Sequence, residues 1–85
     1  MGTDRTPEPT DAELLAFEAT HSPGAHNGRK DEAIHRELRI RPARYYQLLN
    51  RLIWLEEALQ INPTLTNRLR RISRDRTIRA DRRRH

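Results

Sequence analysis

Apolar residues in this chain fall into short periodic stretches separated by breakers. Thr10-Asp11-Ala12-Glu13 has the spacing of a capping box, in which the threonine hydroxyl and the glutamate carboxylate each satisfy a free backbone N–H. Leu14, Leu15 and Phe17 follow, which predicts a first helix over about residues 11–20. The string from His21 to Gly28 gathers Pro23, Gly24 and Asn27 and closes that helix. A second helix is expected over residues 29–38, with Asp31 and Glu32 near its positive end and Ala33, Ile34 and Leu38 as its apolar face. Arg39-Ile40-Arg41 is a tight connection, and Pro42 suits the first turn of a third helix because its missing N–H has no partner there.

Residues 42–60 contain no glycine and no proline after Pro42. At about 100° per residue, Tyr45, Leu48, Leu49, Leu52, Leu55 and Leu59 share one side. A long third helix is therefore expected, with a break near Trp54 as the alternative. Asn62-Pro63 caps and starts a fourth helix, whose stripe of Leu65, Leu69 and Ile72 ends at Ile72. Ile78 and Ala80 lie off that register, so the tail is expected to fray in the absence of a ligand. Residues 1–9, with Pro7 and Pro9, read as a disordered lead. The expected fold is all-α: a four-helix, helix-turn-helix domain over residues 10–72 with an Arg-rich C-terminal arm over 73–85.

Composition narrows the picture. The chain has 85 residues, 34% hydrophobic and 34% charged, with mean hydropathy −1.02. That allows one domain with a core built from about 60 residues, a size at which stability is marginal. Cysteine is absent, which excludes disulfides and thiolate zinc sites. A small unstapled core points to help from a partner, most simply a homodimer. No apolar run reaches the roughly 18 residues of a membrane span, so a cytoplasmic, nucleoid-associated protein without membrane contact is expected. The net charge of +5 is unevenly placed: nine arginines against two aspartates make residues 68–85 net +7, leaving −2 elsewhere. A near-neutral body with a basic arm is the asymmetry of a nucleic-acid binder.

The central segment supplies the reading head. A helix-turn-helix needs buried positions four, eight, ten, fifteen and eighteen across roughly twenty residues, because two helices must cross around one short turn. Counting from Asp31, these are Ile34, Leu38, Ile40, Tyr45 and Leu48. Two positions depart from the pattern. His35 stands where a small residue is usual, a crowding that Ala33 relieves if the register shifts by a fraction of a turn. Arg39 stands where the turn wants a glycine with positive φ, at a strain of roughly 1 kcal/mol.

With Tyr45 and Leu48 inside, Ala43, Tyr46, Gln47 and Asn50 point outward, flanked by Arg44 and Arg51, with Arg41 at the helix entrance. Arginine can make bidentate bonds to guanine, and Gln and Asn to adenine. Lys30, Arg36, Arg68, Arg70, Arg71 and Arg74 are expected on phosphates. Trp54 is the candidate partner-binding residue, since a lone exposed tryptophan is often an interface anchor.

Other signals carry little. His21 and His26 are separated by Pro23 and Gly24, and with His35 and His85 they read as ordinary histidines rather than metal ligands. No nucleophile-and-base arrangement or phosphate-cradling loop is present in the sequence, and Glu56-Glu57 reads as a solvated pair. Neither an enzyme nor a cofactor is expected.

Several strings carry a family resemblance: Leu15-Ala-Phe-Glu18, Lys30-Asp-Glu-Ala-Ile34, Ala43-Arg-Tyr-Tyr-Gln-Leu-Leu-Asn50, Ala58-Leu59, and Asn62-Pro63 with Arg68-Leu-Arg-Arg71. Through them the chain resembles a small actinobacterial family of helix-turn-helix-like proteins of uncharacterised function, with members in hosts and phages. The resemblance implies a helical, DNA-binding-like fold and an actinobacterial or phage source. It implies no ligand.

The expected function is sequence-specific binding of double-stranded DNA by a transcription regulator whose recognition helix starts at Pro42. One alternative is a protein-interaction module that engages the transcription machinery through Trp54 and the third helix. Another is a non-specific nucleoid or RNA binder acting through the Arg-rich arm.

Overall fold

The computed structural model describes residues 8–83 of the chain, which form helices and no strand. Helix α1 spans Asp11–Thr20 and α2 spans Gly28–Ala33, running on as a wider π turn over Ile34–Leu38. Helix α3 is Pro42–Leu52, α4 is Glu56–Ile61 and α5 is Pro63–Arg83. The protein is all-α, and residues 1–7 of the expected lead lie outside the described residues.

Local chemistry explains most boundaries. The Thr10 hydroxyl accepts from the Glu13 N–H at 3.2 Å, and the Glu13 carboxylate accepts from the Thr10 N–H at 2.8 Å, so the capping box is complete. Asn27 caps α2 by accepting from the Lys30 N–H, and Asn62 caps α5 by accepting from the Leu65 N–H. Arg39 takes the left-handed conformation, φ 58° and ψ 35°, which ends the π turn and lets α3 start three residues later. The wide π turn also relieves the crowding expected at His35. Ala33 is buried while His35 faces solvent.

The core joins Leu14, Leu15 and Phe17 of α1 to Ile34, Tyr45, Leu49, Leu52 and Ile53, and to Ala58, Leu65 and Leu69 from the last two helices. Leu38, Ile40 and Leu48 pack half-buried against it. Thr66 is fully buried, and its hydroxyl donates to the Ala58 carbonyl at 3.0 Å, tying α5 to α4.

Two expectations need correction. The third helix does not run to Gln60: it stops at Leu52, giving five helices among the described residues in place of four. Ile53 turns into the core, and the N–H groups of Trp54 and Leu55 reach back three residues to Arg51 and Leu52. The Arg70 guanidinium donates to the Ile53 and Leu55 carbonyls, satisfying acceptors that the broken helix leaves open. The second correction concerns the tail. Helix α5 continues past Ile72 to Arg83, because Arg76 donates to the Gly24 carbonyl at 2.6 Å and no helix breaker follows Pro63.

A buried ionic network ties the first three helices together. Glu18 on α1 and Lys30 on α2 form an ion pair at 2.8 Å with side chains only 1% and 2% exposed. The Lys30 ammonium also donates to the carbonyls of Ser22 and Ala25, which uses all three of its protons. The Glu18 carboxylate accepts from the Tyr45 hydroxyl at 2.5 Å and from the Gly24 N–H at 2.7 Å. Burial, with Glu18 alongside, pushes the Tyr45 hydroxyl well above the usual phenol range, so it stays a donor.

Removing one member of such a pair strands the other charge. Lys30→Met should destabilise the protein by about 3–5 kcal/mol in urea unfolding. Adding Glu18→Gln to that variant should recover much of the loss, because the stranded carboxylate is gone.

Candidate nucleic-acid interface

Tyr45 fixes the rotation of α3. Its ring is fully buried against Phe17, in an edge-on contact with centroids 5.4 Å apart, and its hydroxyl is held by Glu18. At about 100° per residue, the side chain two positions later must then face away from the core. Gln47 does, and Ala43, Arg44, Asn50 and Arg51 share its solvent-exposed arc, with Arg41 exposed at the entrance. The structure therefore brings these six predicted residues onto one surface.

Either edge of the arc has its own neighbours. On one side Asn50 and Tyr46 line a cleft of about 150 Å³ between α3 and α5, whose far wall includes Ser73, Arg76 and Thr77. On the other side Arg51 and Leu48 border a hollow shared with Glu8, Pro9 and Asp11. Glu8 reaches the arc itself. Its two carboxylate oxygens accept from Arg44 at 2.6 and 3.1 Å, a bidentate pair that holds the Glu8 carboxyl below its ordinary value.

Two predicted contacts are placed differently, and a third is partly engaged within the protein. Lys30 is buried in the ionic network and cannot reach a phosphate. Tyr46 is half-buried rather than outward: its hydroxyl donates to Asp31 at 3.3 Å and its ring lies 3.7 Å from that of His26, centroid to centroid. Burial first, then Asp31, pushes its hydroxyl up to about 12. Arg70 is half-buried and spends two of its N–H groups on the carbonyls of Ile53 and Leu55. Arg36, Arg68, Arg71 and Arg74 are exposed, Arg36 on the π turn and the others on α5.

Trp54 is 45% exposed at the break after α3. The guanidinium carbons of Arg70 and Arg74 stand 5.4 and 5.3 Å from its ring centroid, so the break neither buries the indole nor leaves it bare.

Sequence reasoning missed Glu18, His26 and Arg76. Glu18 was detectable, since it lies four residues after Leu14 and three after Leu15, on an apolar face that a carboxylate shares only with a partner. His26 and Arg76 carried no local signal. His21 also has structural work, stacking on Phe17 at 3.8 Å with Nε2 3.2 Å from Glu37. No group of three His, Asp or Glu among the described residues could hold a metal ion, and no helix among them is long and apolar enough to cross a membrane.

These features define a small all-α protein that presents an arginine-flanked helix to solvent. The chain belongs to the family described as "Protein of unknown function (DUF3263)", which it matches over residues 8–84. No curated protein and no solved structure matches it.

Partial burial, Arg76 and Lys30 all lower the affinity of His26 for a proton, with burial the largest cause. The unfolded chain therefore binds that proton more readily, and stability rises with pH across the histidine range. The contribution is whole above the ordinary value of 6.5 and is lost as pH falls below it. Melting temperature should drop between neutral pH and about pH 5, and part of that drop should vanish in His26→Gln.

Proposed function

We propose that this protein binds double-stranded DNA through a helix-turn-helix formed by α2 and α3, acts as a transcription regulator, and is not an enzyme. The observation that carries this reading is the exposed row of Ala43, Gln47 and Asn50 flanked by Arg44 and Arg51, on a helix anchored by its opposite face. The left-handed Arg39 between the two helices adds support, because a positive φ at that place in the turn is what the motif requires. In this reading α3 enters the major groove, Arg44, Gln47 and Asn50 meet base edges, and Arg36, Arg41, Arg68 and Arg71 meet phosphates. A dimer on a pseudo-palindromic site would supply the affinity that one small module lacks. The resemblance carried by the Arg44–Asn50 string supports an actinobacterial or phage source.

Arg44 is the base-reading candidate that is already ion-paired. Glu8 must release it before the guanidinium can meet a guanine, so the N-terminal lead competes with DNA for the centre of the reading head. Glu8→Gln should accordingly bind DNA more tightly than the wild type, with the gap narrowing as salt screens the pair.

Selection of bound duplexes from a random library, at low and near-physiological salt, tests the reading directly. A defined motif should survive the higher salt. Gln47→Ala and Asn50→Ala should each lose about 1–3 kcal/mol of discrimination at a particular base position, while deletion of residues 73–85 should weaken all sequences alike. Alanine variants that select the same motif with the same affinity as the wild type would remove these residues from base reading.

A further inference from the structure

Two arginines share one indole. The guanidinium carbons of Arg70 and Arg74 both approach the Trp54 ring, at 5.4 and 5.3 Å from its centroid. Cations one helical turn apart repel each other, and an exposed pair normally swings apart or finds carboxylates. Among the described residues neither of these arginines pairs with a carboxylate, since the ion pairs there join Glu8, Glu18 and Glu37 to other groups. The negative face of the indole holds the two charges where they are. Arg70 is fixed further by its bonds to the Ile53 and Leu55 carbonyls, and three of its five N–H donors stay unused there. Arg74 makes no hydrogen bond among the described side chains and is exposed.

The place of this pair is informative. Helix α5 runs beside the Asn50 edge of α3, because Asn50 and Ile53 share one cleft with Leu69, Ser73 and Arg76. Arg70, Trp54 and Arg74 therefore sit where the exposed row of α3 ends. Preorganised N–H donors without a counter-ion, next to a helix proposed to enter a groove, match one ligand chemistry: the phosphodiester oxygens flanking that groove.

We propose that Arg70 and Arg74, held beside the Trp54 indole, form a clamp for one backbone phosphate at the C-terminal end of α3, with Trp54 as a positioning residue. This rests on the DNA-binding reading and deepens it. It assigns Trp54 to the DNA surface rather than to a protein partner. Trp54 is the single tryptophan in the chain, so its emission reports on this site alone.

The test follows tryptophan emission and affinity while a short mixed-sequence duplex is titrated across a salt series. The wild type should bind with a change in emission. Arg74→Gln should reduce the slope of log affinity against log salt by about one, the signature of one lost phosphate contact. Trp54→Leu keeps both arginines but removes their platform, so it should also flatten the slope, with affinity down about threefold to tenfold. Trp54→Phe should restore most of it. Circular dichroism shows whether each variant folds, and exposed Arg74 keeps the question answerable if Trp54→Leu does not.

Wild-type binding with unchanged salt slopes in Arg74→Gln and Trp54→Leu would overturn the clamp and leave the DNA reading standing. Absence of duplex binding by the folded wild type would overturn both. An emission change with polyglutamate and none with duplex would also overturn the clamp and mark the pair as a docking point for acidic protein.

Discussion

The carboxylate of Glu18 is where three helices and a loop agree on their positions. One oxygen meets the Lys30 ammonium and the Tyr45 hydroxyl, and the other meets the Gly24 N–H. A buried ion pair contributes little net stability, since desolvation consumes most of what Coulomb attraction returns. Its effect here is directional. Only one placement of α1, α2, α3 and the loop over residues 21–27 satisfies every member, and among the described residues no buried side-chain polar atom lacks a partner. Tyr45 belongs to that set, so the network decides which way Gln47 faces. The exposed arc of α3 is aimed by a charge pair on the other side of the helix.

Helix α5 then carries that placement outward. Arg70 closes the open carbonyls after α3, Ile72 rests on Gly24, and Arg76 bonds the Gly24 carbonyl. Gly24 adopts φ 80°, and a β-carbon there would stand 2.5 Å from Ile72 Cδ1. The left-handed backbone is what favours glycine at this position, since Ile72 Cδ1 is the end of a side chain that can turn aside. The arginine-rich helix is registered against the loop that Glu18 and Lys30 organise, with Arg70 and Arg76 bonded in place.

How much of this was legible depended on how local the cause was. Thr10 and Glu13, Pro42, and Asn62 with Pro63 each announce a boundary through their own chemistry, and α1 and the starts of α3 and α5 fall where those residues put them. The strain at Arg39 was readable for the same reason. The break at residues 53–55 was not decided by its own sequence, which lacks glycine and proline. Its support comes from Arg70, 17 residues away along the chain. Lys30 misled because a charge on a polar segment reads as surface, whereas its partners are two loop carbonyls and a glutamate that only the folded chain brings near. For the candidate site, the exposed arc of α3 followed from periodicity alone. Tyr46 did not, because His26 and Asp31 cover it from segments whose approach no spacing rule conveys.

The burial of Lys30 has a chemical corollary. It is the sole lysine beside 16 arginines, so every other side chain that is fully cationic at neutral pH is an arginine. Guanidinium groups do not lose their charge at any pH the folded protein meets, and acetyl transfer to an ε-amine cannot neutralise them. The one side-chain amine is walled in behind Ser22, Ala25 and Glu18. The arginine share of the protein's positive charge is consequently indifferent to the acyl-donor chemistry through which lysine-rich surfaces are commonly turned down.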